Sequence, residues 1–215
     1  MNWRLASLFV ALITIGCSSG RNTASKDEAK APSPPAAPPE VYKVQFQTTK
    51  GPFVLEITRA WAPKGADRFY KLVTDKFYDG ARFYRVRPKF VVQWGISKDP
   101  KMNELWKQLR LQDDPVKETN ARGTISFATD GPNTRTTEVF INLVDNARLD
   151  ARGFAPFGKV TEGMDVVDHL FSGYGEVAPR GSGVDPNKYM AEGDTYIERS
   201  FPNLDGIISA RVMSQ

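Results

Sequence analysis

The sequence predicts a mostly β domain built from antiparallel hairpins, with clear helical period in only two stretches. Tyr42, Val44 and Phe46 alternate with Lys43, Gln45 and Gln47, and Phe53, Leu55 and Ile57 resume that period after Thr49-Lys50-Gly51-Pro52. This is the pattern of a half-buried hairpin. Phe83 to Gly95 reads as two short strands broken at Arg87-Pro88-Lys89, because proline lacks the ladder N–H and biases its predecessor away from the helical region. Helical spacing runs over Pro63–Asp79, where Ala66, Phe69, Leu72 and Val73 share a face and Gly80 stands as a stop. It returns after Gly163, with Met164, Val167, Leu170 and Phe171 on one face.

Taken in order, the chain opens with Met1-Asn2-Trp3-Arg4 and the apolar run Leu5 to Ile15. A basic start before an apolar core too short to span a bilayer predicts a signal peptide over 1–16. Cys17, the only cysteine of 215 residues, ends Ile13-Thr14-Ile15-Gly16-Cys17. That segment is similar to the bacterial lipobox, with Thr14 in place of the usual Leu, and predicts lipidation at Cys17. A soluble exported protein cleaved nearby is the alternative. A lone cysteine has no partner for an internal disulfide. Residues 17–40 then carry almost no large apolar side chains, and Ala31-Pro32-Ser33-Pro34-Pro35-Ala36-Ala37-Pro38-Pro39 predicts a stiff polyproline II spacer of about 3.1 Å per residue. The folded domain is expected over 41–215.

A hydrophobic content of 40% supports one domain with a sizeable core. The net charge of +4 is dispersed, with no basic run interleaved with aromatics, so nucleic acid is not an expected partner. Between Gly95 and Gly123 the chain is polar and irregular, apart from a short helix over Lys101–Leu111 that ends at Asp113-Asp114-Pro115. His169, the only histidine, has no triad pattern around it and reads as a surface or packing residue. With one histidine and one cysteine, no zinc site or other metal is expected, and no cofactor. Gly173 to Asn203 is rich in Gly, Pro and Asp and reads as irregular; Ile207 to Met213 reads as a closing strand.

Three ordered blocks carry a family resemblance. Phe83, Arg85, Phe90, Gln93 and Gly95 form the first; Ser126, Ala128, Gly131 to Thr134 and Phe140-Ile141 the second; Leu149-Asp150 and Phe157-Gly158-Lys159-Val160 the third. Together they resemble the signature blocks of the cyclophilins, the peptidyl-prolyl cis/trans isomerases, from about Val41 to the C-terminus. The resemblance implies a closed antiparallel eight-stranded barrel capped by two helices. It also implies that Arg85 donates to the prolyl nitrogen, that Gln93 orients Arg85, and that Phe90, Val91, Phe140, Leu149 and Phe154 form a proline pocket. Ala128 and Thr129 are expected along the extended substrate.

The departures from the family pattern are specific. Val91 stands for Met, Lys89 and Trp94 for glycines, Thr129 for Asn, and Arg148 for the Trp that contacts cyclosporin in sensitive members. Glu138 stands for a Gln lining the substrate groove, where a carboxylate accepts from Arg85 or repels acidic substrates. The function implied is a monomeric prolyl isomerase acting on Pro-containing segments of exported proteins, held at the cell envelope by a lipid anchor. The alternative is a non-catalytic module that holds such segments in the same groove. Presence of both Arg85 and Gln93 favours the enzyme, since binding alone needs only the apolar pocket.

Overall fold

The computed structural model describes residues 37–214. The predicted signal peptide, Cys17 and all but the last four residues of the predicted linker lie outside them. The hairpin forms as its pattern requires: β1 (Val41–Thr48) pairs antiparallel with β2 (Gly51–Thr58), and alternate β1 residues from Tyr42 to Thr48 are buried. The remaining strands are β3 (Arg85–Arg87), β4 (Val91–Trp94), β5 (Thr124–Phe127), β6 (Val139–Asn142), β7 (Pro156–Glu162) and β8 (Ile207–Val212). They make one antiparallel sheet in the order β3-β4-β6-β5-β7-β2-β1-β8.

This corrects the expected closed barrel, because the sheet is open. End strands β3 and β8 share no ladder; a single bridge, Arg82↔Gly206, joins the segments leading into them. Ile207 N–H donates to Ala81 O (2.8 Å) and Phe83 N–H to Asp205 O (3.0 Å) beside that bridge. Arg82 lies outside β3, which begins at Arg85, so the contact is not continued into a ladder.

The expected pair of helices is corrected as well. The described residues hold five α-helices, α1 (Pro63–Thr74), α2 (Pro100–Lys107), α3 (Met164–Asp168), α4 (Pro186–Glu192) and α5 (Asp194–Ser200), and a 3₁₀ helix at Ala147–Arg152. α1 stops at Thr74, short of Gly80, because Lys76 takes a left-handed conformation (φ 57°). Its first turn has no capping side chain of its own. Asp114 supplies one from fifty residues away, accepting from Lys64 N (3.0 Å) and Gly65 N (2.9 Å). The same carboxylate pairs with buried Arg135 at 3.1 Å. α4 and α5 fall in the stretch expected to be irregular. Seven residues each are too few to show a period, yet Asp185 caps α4 through Asn187 N and Lys188 N, with Pro186 in its first turn.

Two cores result. The larger fills the concave side of the sheet and packs α1 against it, around Phe46, Phe53, Phe69, Tyr78, Phe83 and Trp94. Trp94 is fully buried there, with its ring centroid 5.7 Å from Phe46 and 5.5 Å from Phe83. An aromatic at that position therefore fills the core and leaves the opposite face of β4 unobstructed. A second core gathers Tyr84, Ile96, Val177, Val184, Tyr189, Tyr196, Ile197, Phe201 and Leu204, anchoring the segment between α3 and β8.

Candidate active site

Strand register assembles the site. Arg85 faces Gln93 across β3 and β4, and Gln93 faces Phe140 across β4 and β6. Because side chains alternate across a strand, these three form one row on the outer face. Val86, Val92, Ile141 and Ile125 form the matching row in the core. The outer row lies in a groove of about 640 Å³.

One half of the groove is apolar. Val91, Phe140 and Leu149 are buried together, with Phe90, Ala128 and Phe154 packed against them. The Phe140 and Phe154 rings meet edge-on at 5.5 Å. A polar network lies beneath. Asn120 is fully buried; its amide donates to Asp150 Oδ1 (2.7 Å) and Phe154 O (2.8 Å), and its carbonyl oxygen accepts from Ser126 Oγ and Asn142 Nδ2. Asn146 donates to Phe90 O (3.0 Å). These bonds fix the backbone that presents Phe90, Leu149 and Phe154. Burial pushes the Asp150 carboxyl up, but hydrogen bonds from Asn120 and Thr119 outweigh it and hold the group below the usual range.

The other half is polar. Arg85 Nη1 donates to Gln93 Oε1 at 3.0 Å. Gln93 Nε2 donates to Glu138 Oε2 (3.0 Å) and to Tyr84 Oη, so its amide is held at both ends. Tyr84 Oη donates in turn to Glu138. Glu138 therefore takes its bonds from Tyr84 and Gln93 and none from Arg85. Burial pushes its carboxyl up, against those two hydrogen bonds. Gly95 makes this approach possible: at φ 123° its missing Cβ would lie 2.5 Å from the Glu138 Cα.

The other predicted residues flank this row. Ala128 N–H donates to Glu138 O (2.9 Å), and the Thr129 hydroxyl is engaged by Gly131 O and Thr134 Oγ1 within its own loop. Arg148 is exposed, its guanidinium 5.0 Å from the Phe90 ring centroid. His169 is exposed beyond α3, its ring bonded to Asp165 O.

Sequence reasoning missed Asn120, Asn146, Tyr84 and, above all, Glu176. The Glu176 carboxylate grips Arg85 side-on, Oε1 to Nε at 2.6 Å and Oε2 to Nη2 at 2.8 Å, and also accepts from Arg87 Nη1 at 2.9 Å. The Arg85 hydrogen bonds draw its carboxyl below the usual glutamate range. One signal was available: Arg85 and Arg87 sit on the same face of β3, a like-charged pair that calls for an anion.

A model of the cyclophilin type peptidyl-prolyl cis-trans isomerase family matches residues 43–185. A peptidyl-prolyl cis-trans isomerase of Acinetobacter baylyi is 36% identical over 133 residues, covering 59% of this chain and 70% of the relative. Another from Streptomyces antibioticus is 37% identical over 136 residues, covering 59% and 81%. A cyclophilin-type isomerase crystal structure from Cryptosporidium parvum shares the fold, with a TM-score of 0.58 at 19% identity over 81% of this chain and 99% of that one. The chain belongs to the cyclophilin-type family. It is a peptidyl-prolyl cis-trans isomerase, and the non-catalytic module gives way to the enzyme.

Proposed function

We propose that Arg85 and Gln93 are the catalytic pair, that Val91, Phe140, Leu149, Phe90 and Phe154 seat the proline ring, and that Ala128, Thr129 and Glu138 line the path of the flanking chain. The single observation supporting this division is the row Arg85–Gln93–Phe140, which sets a guanidinium beside an apolar pocket. Rotation about an X-Pro bond breaks amide resonance, at a barrier of about 18–20 kcal/mol. As conjugation is lost the nitrogen lone pair localises and becomes a hydrogen-bond acceptor. A guanidinium is always protonated and donates in a fixed fork, so Arg85 stabilises the twisted amide more than either planar form. No covalent bond to the enzyme forms. An X-Pro ligand class accords with a second Cryptosporidium parvum structure of the same fold, determined in the presence of the dipeptide Ala-Pro.

The reading extends to location. The apolar run Leu5 to Ile15 followed by Gly16-Cys17 supports export and lipid attachment, which makes the substrates Pro-containing segments of exported proteins at the cell envelope. Lipidation adds about 0.8 kcal/mol of membrane affinity per buried CH₂. Two experiments test the whole. Cis/trans exchange of a short X-Pro peptide, followed by NMR, is expected to slow about a hundred- to a thousand-fold in kcat/KM with Arg85→Ala. Arg85→Lys rescues it only in part, because an ammonium keeps the charge without the planar fork. In cell fractionation, Cys17→Ser moves the protein out of the membrane fraction; retention there overturns the anchor.

A further inference from the structure

We propose that Glu176 is a positioning residue for isomerisation, a carboxylate that clamps the side edge of the Arg85 guanidinium so that its free N–H groups are presented to the bound prolyl amide. This inference rests on the reading of Arg85 given above.

Geometry carries it. Of the five N–H donors of Arg85, Glu176 takes one on Nε and one on Nη2, and Gln93 takes one on Nη1. Two donors remain by count, both on the terminal nitrogens. The guanidinium carbon lies 5.5 Å from the Phe90 ring centroid, at the edge of the proline pocket. A bidentate carboxylate on Nε and Nη2 and an amide on Nη1 leave a planar group little freedom to turn. The ion pair is shielded: the side chains of Arg85 and Glu176 are 14% and 17% exposed.

Glu176 is itself held. Val177 N–H donates to its Oε1 at 3.0 Å, and its carbonyl accepts from Gly183 N at 2.9 Å. A Cβ on Gly181 would lie 2.4 Å from that carbonyl, and one on Gly183 2.7 Å, so Gly181-Ser182-Gly183 must lack side chains at both ends for the chain to fold over Glu176. Val177 and Val184, on either side of this turn, anchor it in the second core together with Tyr84, the residue before Arg85. The segment that reads as an irregular elaboration thus delivers one carboxylate to a fixed place.

Charge explains why the carboxylate is needed. Without it Arg85 and Arg87, two residues apart on one face, repel, and Arg85 is left tethered by Gln93 alone. Arg87 is more exposed (42%) and has only one bond to Glu176, so it serves as a control.

A double-mutant cycle on the full chain tests this, reading exchange of an X-Pro peptide by NMR and its Kd by titration. Glu176→Ala is expected to lower kcat/KM by about 10- to 100-fold, mainly in kcat, since misplacing a catalytic group by about 1 Å costs up to that much. Kd stays nearly unchanged. Glu176→Gln, which keeps the shape and one acceptor, falls between, and is the variant read if Glu176→Ala does not fold. Arg87→Ala has a small effect. In an Arg85→Ala background, Glu176→Ala costs nothing further. An equal loss in both backgrounds, or unchanged or faster exchange with Glu176→Ala, overturns the proposal. Undiminished catalysis by Arg85→Ala alone defeats the reading of Arg85 and this inference with it.

Discussion

The two halves of the groove are built over different lengths of chain. The apolar half, proposed as the proline pocket, comes mainly from β4, β6 and the 3₁₀ helix and turn after β6, with side chains that pack on one another. Its residues all lie between Phe90 and Phe154. The guanidinium half joins Arg85 to a carboxylate 91 positions away, through a separate core and a glycine-bracketed turn. An apolar pocket follows from sheet register. A shielded guanidinium needs a counter-charge, and its partner came from another part of the chain.

If the pocket half rests on the network beneath it, that network is the place to break it. Asn120→Ala removes four side-chain hydrogen bonds from a fully buried site; it strands the Ser126 hydroxyl and leaves the Asn142 amide with Thr124 as its only acceptor. The expected loss is about 2–4 kcal/mol in urea unfolding, with weakened peptide binding because Phe154 loses its tether. An unaltered midpoint contradicts the role given to the network.

The polar half is sharpened by pH, since its two carboxyls are displaced in opposite directions. Glu138 is raised by burial, so the folded state binds its proton more tightly than the unfolded state. Its contribution to stability falls as pH rises from the ordinary glutamate value, about 4.3, through the raised folded value. Glu176 is lowered by Arg85; its contribution is present above the ordinary value and is lost as pH falls through the depressed one. Glu138→Gln cannot titrate and keeps an acceptor for Tyr84 or Gln93. Relative to the original it is expected to gain stability as pH rises through that window. A difference in stability between the two proteins that is constant with pH contradicts the assignment.

The same contrast governs what was legible in the sequence. Phe90, Val91, Gln93, Phe140 and Leu149 were readable because they stand in the short contiguous blocks that carry the family resemblance. Arg85 was readable, but its clamp was not: no local pattern links position 85 to position 176, and only Arg85-Val86-Arg87 hinted at a missing anion. Asn120 looked like one more polar residue in an irregular insertion, because its partners at 126, 142, 150 and 154 converge only in the fold. Whether the sheet closes depends on Arg82 and Gly206, which lie in segments with no strand period. α4 and α5 escaped because their helical identity rests on tertiary burial of Tyr189, Tyr196 and Ile197, which outweighs weak local propensity.

The central claim is that the pocket half binds and the guanidinium half catalyses. It is tested most directly by measuring peptide Kd and the exchange rate of the bound peptide, in one NMR titration series, for Arg85→Ala and Phe140→Ala. Arg85→Ala is predicted to keep its Kd and lose bound-state exchange. Phe140→Ala is predicted to weaken Kd by about 10- to 100-fold, the worth of burying a phenyl ring against the proline, while the peptide that does bind still exchanges. Loss of affinity in Arg85→Ala with bound-state exchange intact contradicts the division.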